Sequence, residues 1–113
     1  MRTRDMRIDL LPASYNRDDP KFSLHVSKRG LNRVVRVAGE LDVATRAQVR
    51  QVCLAGRGNN VVVEMAEITF MDCSGYGGLV AARVILEASG GSLTLRHQTG
   101  QPAELLSMLT RLQ

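Results

Sequence analysis

The stretch from Asn59 to Ala88, "NNVVVEMAEITFMDCSGYGGLVAARVILEA", restricts the fold more than any other part of the chain. It opens with a short, almost continuous apolar run, "NNVVVEM", of the kind found in strands covered on both faces. It closes with an aliphatic segment of helical spacing, and the two meet at an acid, a thiol, a hydroxyl and a glycine. Such a run passing directly into a helix predicts a central strand of a sheet with helices packed on it.

The flanking segments extend this pattern. "FSLHVSK" alternates Phe22, Leu24 and Val26 against Ser23, His25 and Ser27, the period of a half-buried strand; "RGLN" turns it, and "RVVRVAG" supplies a second strand. "LDVATRAQVRQVCLAG" has helical spacing at Val49, Val52 and Cys53, with Gly56 as its stop. In the helix after the junction, Ala81, Val84, Ile85 and Ala88 form one stripe and Leu79, Ala82 and Leu86 the opposite one, more apolar surface than one sheet face covers. "GGSLTLRH" reads as a turn and a strand, and Pro102 stands at the start of a last helix with Leu105, Met108, Leu109 and Leu112 at helical spacing. Residues 1–20 show no periodicity and end at Pro20, so they read as a flexible leader with one short strand near "MRIDLLP". The expected order is ββαβαβα, an α/β domain over residues 21–113 with a mixed sheet of four to five strands.

At 113 residues the chain is one domain, too small for a separate lid or cofactor domain. No apolar run reaches the length of a membrane span, and the N-terminus lacks the order of a secretory signal, so a cytoplasmic location is the default expectation. A net charge of +4 invites a nucleic-acid reading, but Arg2, Arg4, Arg7 and Arg17 are mixed with Asp5, Asp9, Asp18 and Asp19. The four aromatic residues are too dispersed for a stacking platform, so no direct nucleic-acid binding is expected. Cys53 and Cys73 stand twenty residues apart with no CxxC pattern, and neither a zinc site nor any cofactor is expected.

The junction itself admits several chemistries. Free backbone N–H groups and the helix dipole at Asp72–Gly75 favour an anion, and Gly75, Gly77 and Gly78 leave the first helical turns bare enough for another protein's backbone to approach. In the plainer alternative Asp72 or Ser74 caps the helix and the glycines ease its packing. Cys73 at a helix start also has the position of a reactive thiol. The only histidines, His25 and His97, fall on predicted strands at solvent-facing positions, which leaves a cysteine nucleophile without an evident base. Cys53 shares a stripe with Val49 and Val52 and reads as a small apolar filler, and no bridge to Cys73 is expected.

The segments "VVRVAGELDVAT", "NNVVVEMAEITFMDCSGYGGLVAAR", "GGSLTLRH" and "QPAELLSMLTRL" together resemble the STAS domain of bacterial anti-sigma factor antagonists, from about Phe22 to Leu112. The specificity lies in the pair "GELD" and "FMDCSG" at the family's separation. The resemblance implies a STAS-like fold and a binding protein, not an enzyme. Its partner is an anti-sigma factor, commonly of histidine-kinase-like ATPase type, whose capture frees a sigma factor for transcription. It also implies a partner patch at Asp42, Asp72, Cys73, Ser74, Gly75, Tyr76 and Gly77. Relatives carry a kinase-modified hydroxyl directly after the motif aspartate, where added charge breaks the complex. Here that place is held by Cys73, with Ser74 next to it as the fallback acceptor. Loss of the usual phosphoswitch is the favoured expectation, and thiol oxidation at Cys73 is the alternative control. STAS domains also serve as regulatory modules in anion transporters, lipid-transport systems and stress sensors, and a thiol-dependent enzyme is the reading from a different class. Relatives continue past the last helix with another strand and helix, whereas this chain stops at Gln113 and is C-terminally short by comparison. Partial exposure of the Leu79, Ala82 and Leu86 stripe is therefore expected, which would favour self-association or a larger partner interface.

Overall fold

In the computed structural model, residues 15–19 and 21–111 are described, and they form five strands and three helices in the order βββαβαβα. The elements are β1 (Tyr15–Asp19), β2 (Phe22–Arg29), β3 (Asn32–Leu41), α1 (Arg46–Leu54), β4 (Asn60–Met71), α2 (Cys73–Ala88), β5 (Ser92–Arg96) and α3 (Gly100–Arg111). One sheet runs β1-β2-β3-β4-β5; β1, β2 and β3 pair antiparallel, and β3, β4 and β5 pair parallel. The mixed α/β sheet expected from the sequence is therefore present, with one strand more than the expected order.

That extra strand falls inside the segment read as a flexible leader. β1 pairs with β2 from Tyr15↔Val26 to Asp19↔Phe22. Its sequence, "YNRDD", has no apolar alternation to reveal it. An edge strand needs only its backbone donors and acceptors to join a ladder, so pairing with β2 decides what local pattern cannot. The strand expected near "MRIDLLP" lies outside the described residues.

β4 is also longer than its apolar run, continuing through "AEITFM" to Met71. Past Met65 it buries only Ile68 and Met71 and exposes Ala66, Glu67, Thr69 and Phe70, which disguises it as a loop in the sequence. Two register shifts against β3, between Arg36 and Ala38 and between Gly39 and Glu40, accommodate this extension. At the second shift Gly39 has φ +97°, and a Cβ there would lie 2.0 Å from the Lys21 carbonyl oxygen. The glycine of "GELD" is thus required by the backbone itself.

The core forms where Leu24 and Val26, Val35 and Val37, and Val61, Val63 and Met65 share one sheet face with Val49, Val52 and Cys53 of α1 and Leu79, Ala82 and Leu86 of α2. Each large side chain removed from water there contributes about 1.5–3 kcal/mol. The expected exposure of the Leu79, Ala82 and Leu86 stripe is corrected: all three are buried. The surplus apolar surface of α2 lies on the other stripe, where Val84 is 61% exposed and Ala88 faces solvent. The sheet and α1 take the bulkier stripe, because Gly75 and Gly78 on the same side let α2 approach closely. In α3, Leu105 and Leu106 pack partly against the core and Met108 is 54% exposed, so the apolar face is rotated from the one expected.

Arg33 is the polar exception in the core. It falls in phase with Val35 and Val37, is buried, and donates from Nε to the Val52 carbonyl at 3.3 Å, while its Nη2 has no hydrogen-bond partner. Burial lowers the pKa of its guanidinium and pushes the neighbouring Cys53 thiol up to about 12.

Candidate functional site

The two sequence motifs meet at the ends of adjacent parallel strands. Glu40 pairs with Phe70 and Leu41 with Met71, so Asp42 and Asp72 leave the sheet side by side. Beyond them the chain turns into α1 on one side and directly into α2 on the other.

Both carboxylates are held by their own loops. Asp72 is the N-cap of α2, and its Oδ1 accepts from the Gly75 backbone N–H at 2.8 Å. The anion position at this helix start is therefore filled by a side chain, and a phosphate there would meet a carboxylate. Asp42 accepts from the Ala44 N–H at 3.0 Å. Thr45 closes the same turn: its Oγ1 accepts from the Asp42 N–H at 3.0 Å and donates to the Glu40 carbonyl at 2.8 Å. These bonds fix the geometry of both loops.

The residues of the expected patch divide by depth. Cys73 and Gly77 are exposed, Asp42, Asp72, Ser74 and Tyr76 are half-buried, and Gly75 is buried. A Cβ on Gly75 would lie 2.2 Å from the Leu41 carbonyl oxygen, so this glycine serves the contact between α2 and β3 and is not offered to a partner. At Gly77 nothing stands within 4 Å of an added Cβ. Tyr76 turns toward the groove of about 210 Å³ that it lines with Val80, Leu95 and Leu106. Along the outer side of α2, Cys73, Gly77, Val80 and Val84 follow helical spacing and are all exposed. With Val43 at 63% and Phe70 at 43% exposure, the junction carries an apolar, small-residue surface rather than a cleft.

Two contributors were missed in the sequence. Gln101, thirty residues beyond Met71, accepts from the Met71 N–H through Oε1 and donates through Nε2 to the Met71 carbonyl, both at 2.8 Å. Its amide replaces a neighbouring strand where β5 no longer accompanies β4, since that pairing ends at Glu64↔Arg96. No local pattern announces such a clamp. Thr45 could have been found, because a Thr three residues after Asp42 suits a side-chain-closed turn. Cys53 is buried, and both cysteines are free thiols. His25 lies on β2 as expected, whereas His97 stands just past β5, at φ +61°, with its Nδ1 2.5 Å from Glu64 Oε1.

Solved structures show the same architecture. An anti-sigma factor antagonist from Mycobacterium paratuberculosis superposes with a TM-score of 0.65 at 23% identity, covering 85% of this chain and 84% of that one. The anti-sigma factor antagonist SpoIIAA in its unphosphorylated form gives 0.64 at 19% identity, covering 77% and 80%. The murine anion transporter Slc26a9 in its inward-facing state gives 0.62 at 16% identity, covering 94% of this chain and 20% of the transporter. The chain thus spans about a fifth of the length of some larger proteins it resembles. No curated protein sequence matches it. No described helix is long and apolar enough to cross a membrane. Residues 24–111 match the family described as "Mlab, STAS domain", and the chain belongs to that STAS-domain family.

Proposed function

We propose that the protein is an anti-sigma factor antagonist acting in the cytoplasm, a binding module and not an enzyme, that captures an anti-sigma factor of histidine-kinase-like ATPase type and so releases a sigma factor for transcription. The observation that carries this reading is the surface of α2. Cys73, Gly77, Val80 and Val84 are exposed in one stripe that begins at the junction shared by "GELD" and "FMDCSG". Such a stripe of small and apolar residues on a helix fixed at its N-terminus suits close contact with another protein. The likeness to two anti-sigma factor antagonists over four fifths of their length supports the same choice.

Cys73 stands directly after the capping aspartate, the position where relatives carry a phosphoacceptor hydroxyl, and its thiol is exposed. A kinase that transfers phosphate to a hydroxyl there finds a thiol instead, so the complex persists in the presence of ATP. Wild-type protein mixed with its cognate kinase and ATP should gain no phosphate by mass spectrometry, and Cys73→Ser should gain one. Phosphate on wild-type Ser74 would show that the switch has moved by one residue. If the thiol has taken over control, peroxide should weaken the complex, reductant should restore it, and Cys73→Ala should bind under both conditions.

A second reading, a STAS regulatory module of a transport complex, is favoured by the coverage of 94% of this chain by part of an anion transporter. Isolation of the native complex separates the two. Co-purification of an ATPase that releases a sigma factor on addition of this protein supports the first; a membrane transport assembly in its place overturns it.

A further inference from the structure

The sheet face turned away from α1 and α2 carries polar residues that the junction does not use. Strand register sets His25, Arg36, Glu64 and Arg96 in one row, places Ser27 beside Val34 in the next, and puts Arg29 in the row beyond. A hollow of about 360 Å³ opens over these rows. Among the described residues that line it the single acid, Glu64, is already paired: its Oε2 accepts from Arg96 Nη1 at 3.2 Å and its Oε1 meets His97 Nδ1. Among the described residues none pairs with Arg29 or Arg36, and both line the hollow. They bracket Ser27 from either side along the strand direction, from rows about 13 Å apart.

We propose that this hollow is a binding site for a small phosphate-bearing anion. Two guanidinium groups standing on either side of one hydroxyl along the strands offer the forked donors that match phosphate oxygens. Val34 supplies an apolar floor for the remainder of the ligand, and the volume lies in the range of small-molecule sites. An acidic polypeptide is the poorer fit, since the row of cations is interrupted at Glu64. Glu64 stands seven residues before Met71 on β4, about 23 Å from the junction, so an occupied hollow leaves the α2 stripe free.

The test is titration of ¹⁵N-labelled protein with phenyl phosphate, using phenol as the uncharged control. The expected result is saturable shifts centred on the amides of Ser27, Val34 and Arg36 with phenyl phosphate alone. Arg36→Gln and Arg29→Gln should each weaken binding by about tenfold or more while keeping the wild-type melting temperature, and Arg83→Gln on α2 should bind normally. Sedimentation with phosphatidate vesicles against phosphatidylcholine vesicles identifies the source: arginine-dependent pelleting assigns a lipid headgroup, and its absence assigns a soluble phosphate. The proposal is overturned if phenyl phosphate does not saturate, if the two arginine variants bind as tightly as wild type, or if a glutamate-rich ten-residue peptide occupies the face and phenyl phosphate does not.

Discussion

The two sides of α2 lie within one helix and obey opposite rules. On the inner side Gly75, Gly78, Leu79, Ala82 and Leu86 are buried; on the outer side Cys73, Gly77, Val80 and Val84 meet solvent. Both sides are apolar, and both carry a glycine in the first two turns. The difference is what each faces: the inner side is within contact distance of backbone, and the outer side faces open space. Composition therefore does not tell a packing surface from a docking surface, and the neighbours of each Cβ do.

Leucine truncation tests the contrast most strongly. Leu86→Ala should cost about 3 kcal/mol or more through lost burial and the cavity left behind. Val84→Ala, two residues earlier and exposed, should stay within about 0.5 kcal/mol. Urea titrations of both variants decide it; similar midpoints would mean that α2 is not seated as described.

The glycines give the sharper form, because one substitution should act with opposite signs two residues apart. Gly75→Ala places a methyl 2.2 Å from the Leu41 carbonyl oxygen, and displacing α2 from β3 should cost about 2–3 kcal/mol. Gly77→Ala meets nothing and removes backbone freedom from a helix interior, so it should stabilise by about 0.5–1 kcal/mol. A stabilised Gly77→Ala that binds its partner poorly would mark the glycine as kept for contact.

The cysteines extend the comparison to pH. The Cys53 thiol is fully buried, and its pKa is pushed from 9.0 to about 12. Below pH 9 both folded and unfolded chains hold this proton, and the group sets no slope. Between pH 9 and 12 the unfolded chain releases it while the folded chain retains it. Stability should therefore fall as pH rises through this window, by up to about 1.4 kcal/mol per unit. Chemical denaturation at pH 8, 9 and 10 should show the decline, and Cys53→Val should flatten it.

The cap of α2 tests the junction itself. Asp72→Ala removes the acceptor for the Gly75 N–H and should cost about 1 kcal/mol, whereas Asp72→Asn, which keeps an acceptor, should lose only part of that. Equal losses for the two variants would assign the aspartate's contribution to charge at the helix start instead of to the hydrogen bond.

Much of this was readable because the signals are local. The alternation of Phe22, Leu24 and Val26 marks β2, the valine run marks the interior of β4, and an acid three residues before Gly75 marks a helix start. β1 escaped notice because an edge strand can pair through its backbone alone. The end of β4 escaped because its outer residues are polar, and Arg33 escaped because a charge is not expected in phase with core valines.

The sequence by itself determined the alternation of strands and helices and the thiol directly after the capping aspartate, since each depends on residues a few positions apart. Only the tertiary structure decided which stripe of α2 is buried, which glycine is structural, and that Gln101 holds the end of β4. Those outcomes depend on atoms brought together from distant parts of the chain, and a close approach such as Leu41 on Gly75 is a property of the packed pair that neither residue carries alone.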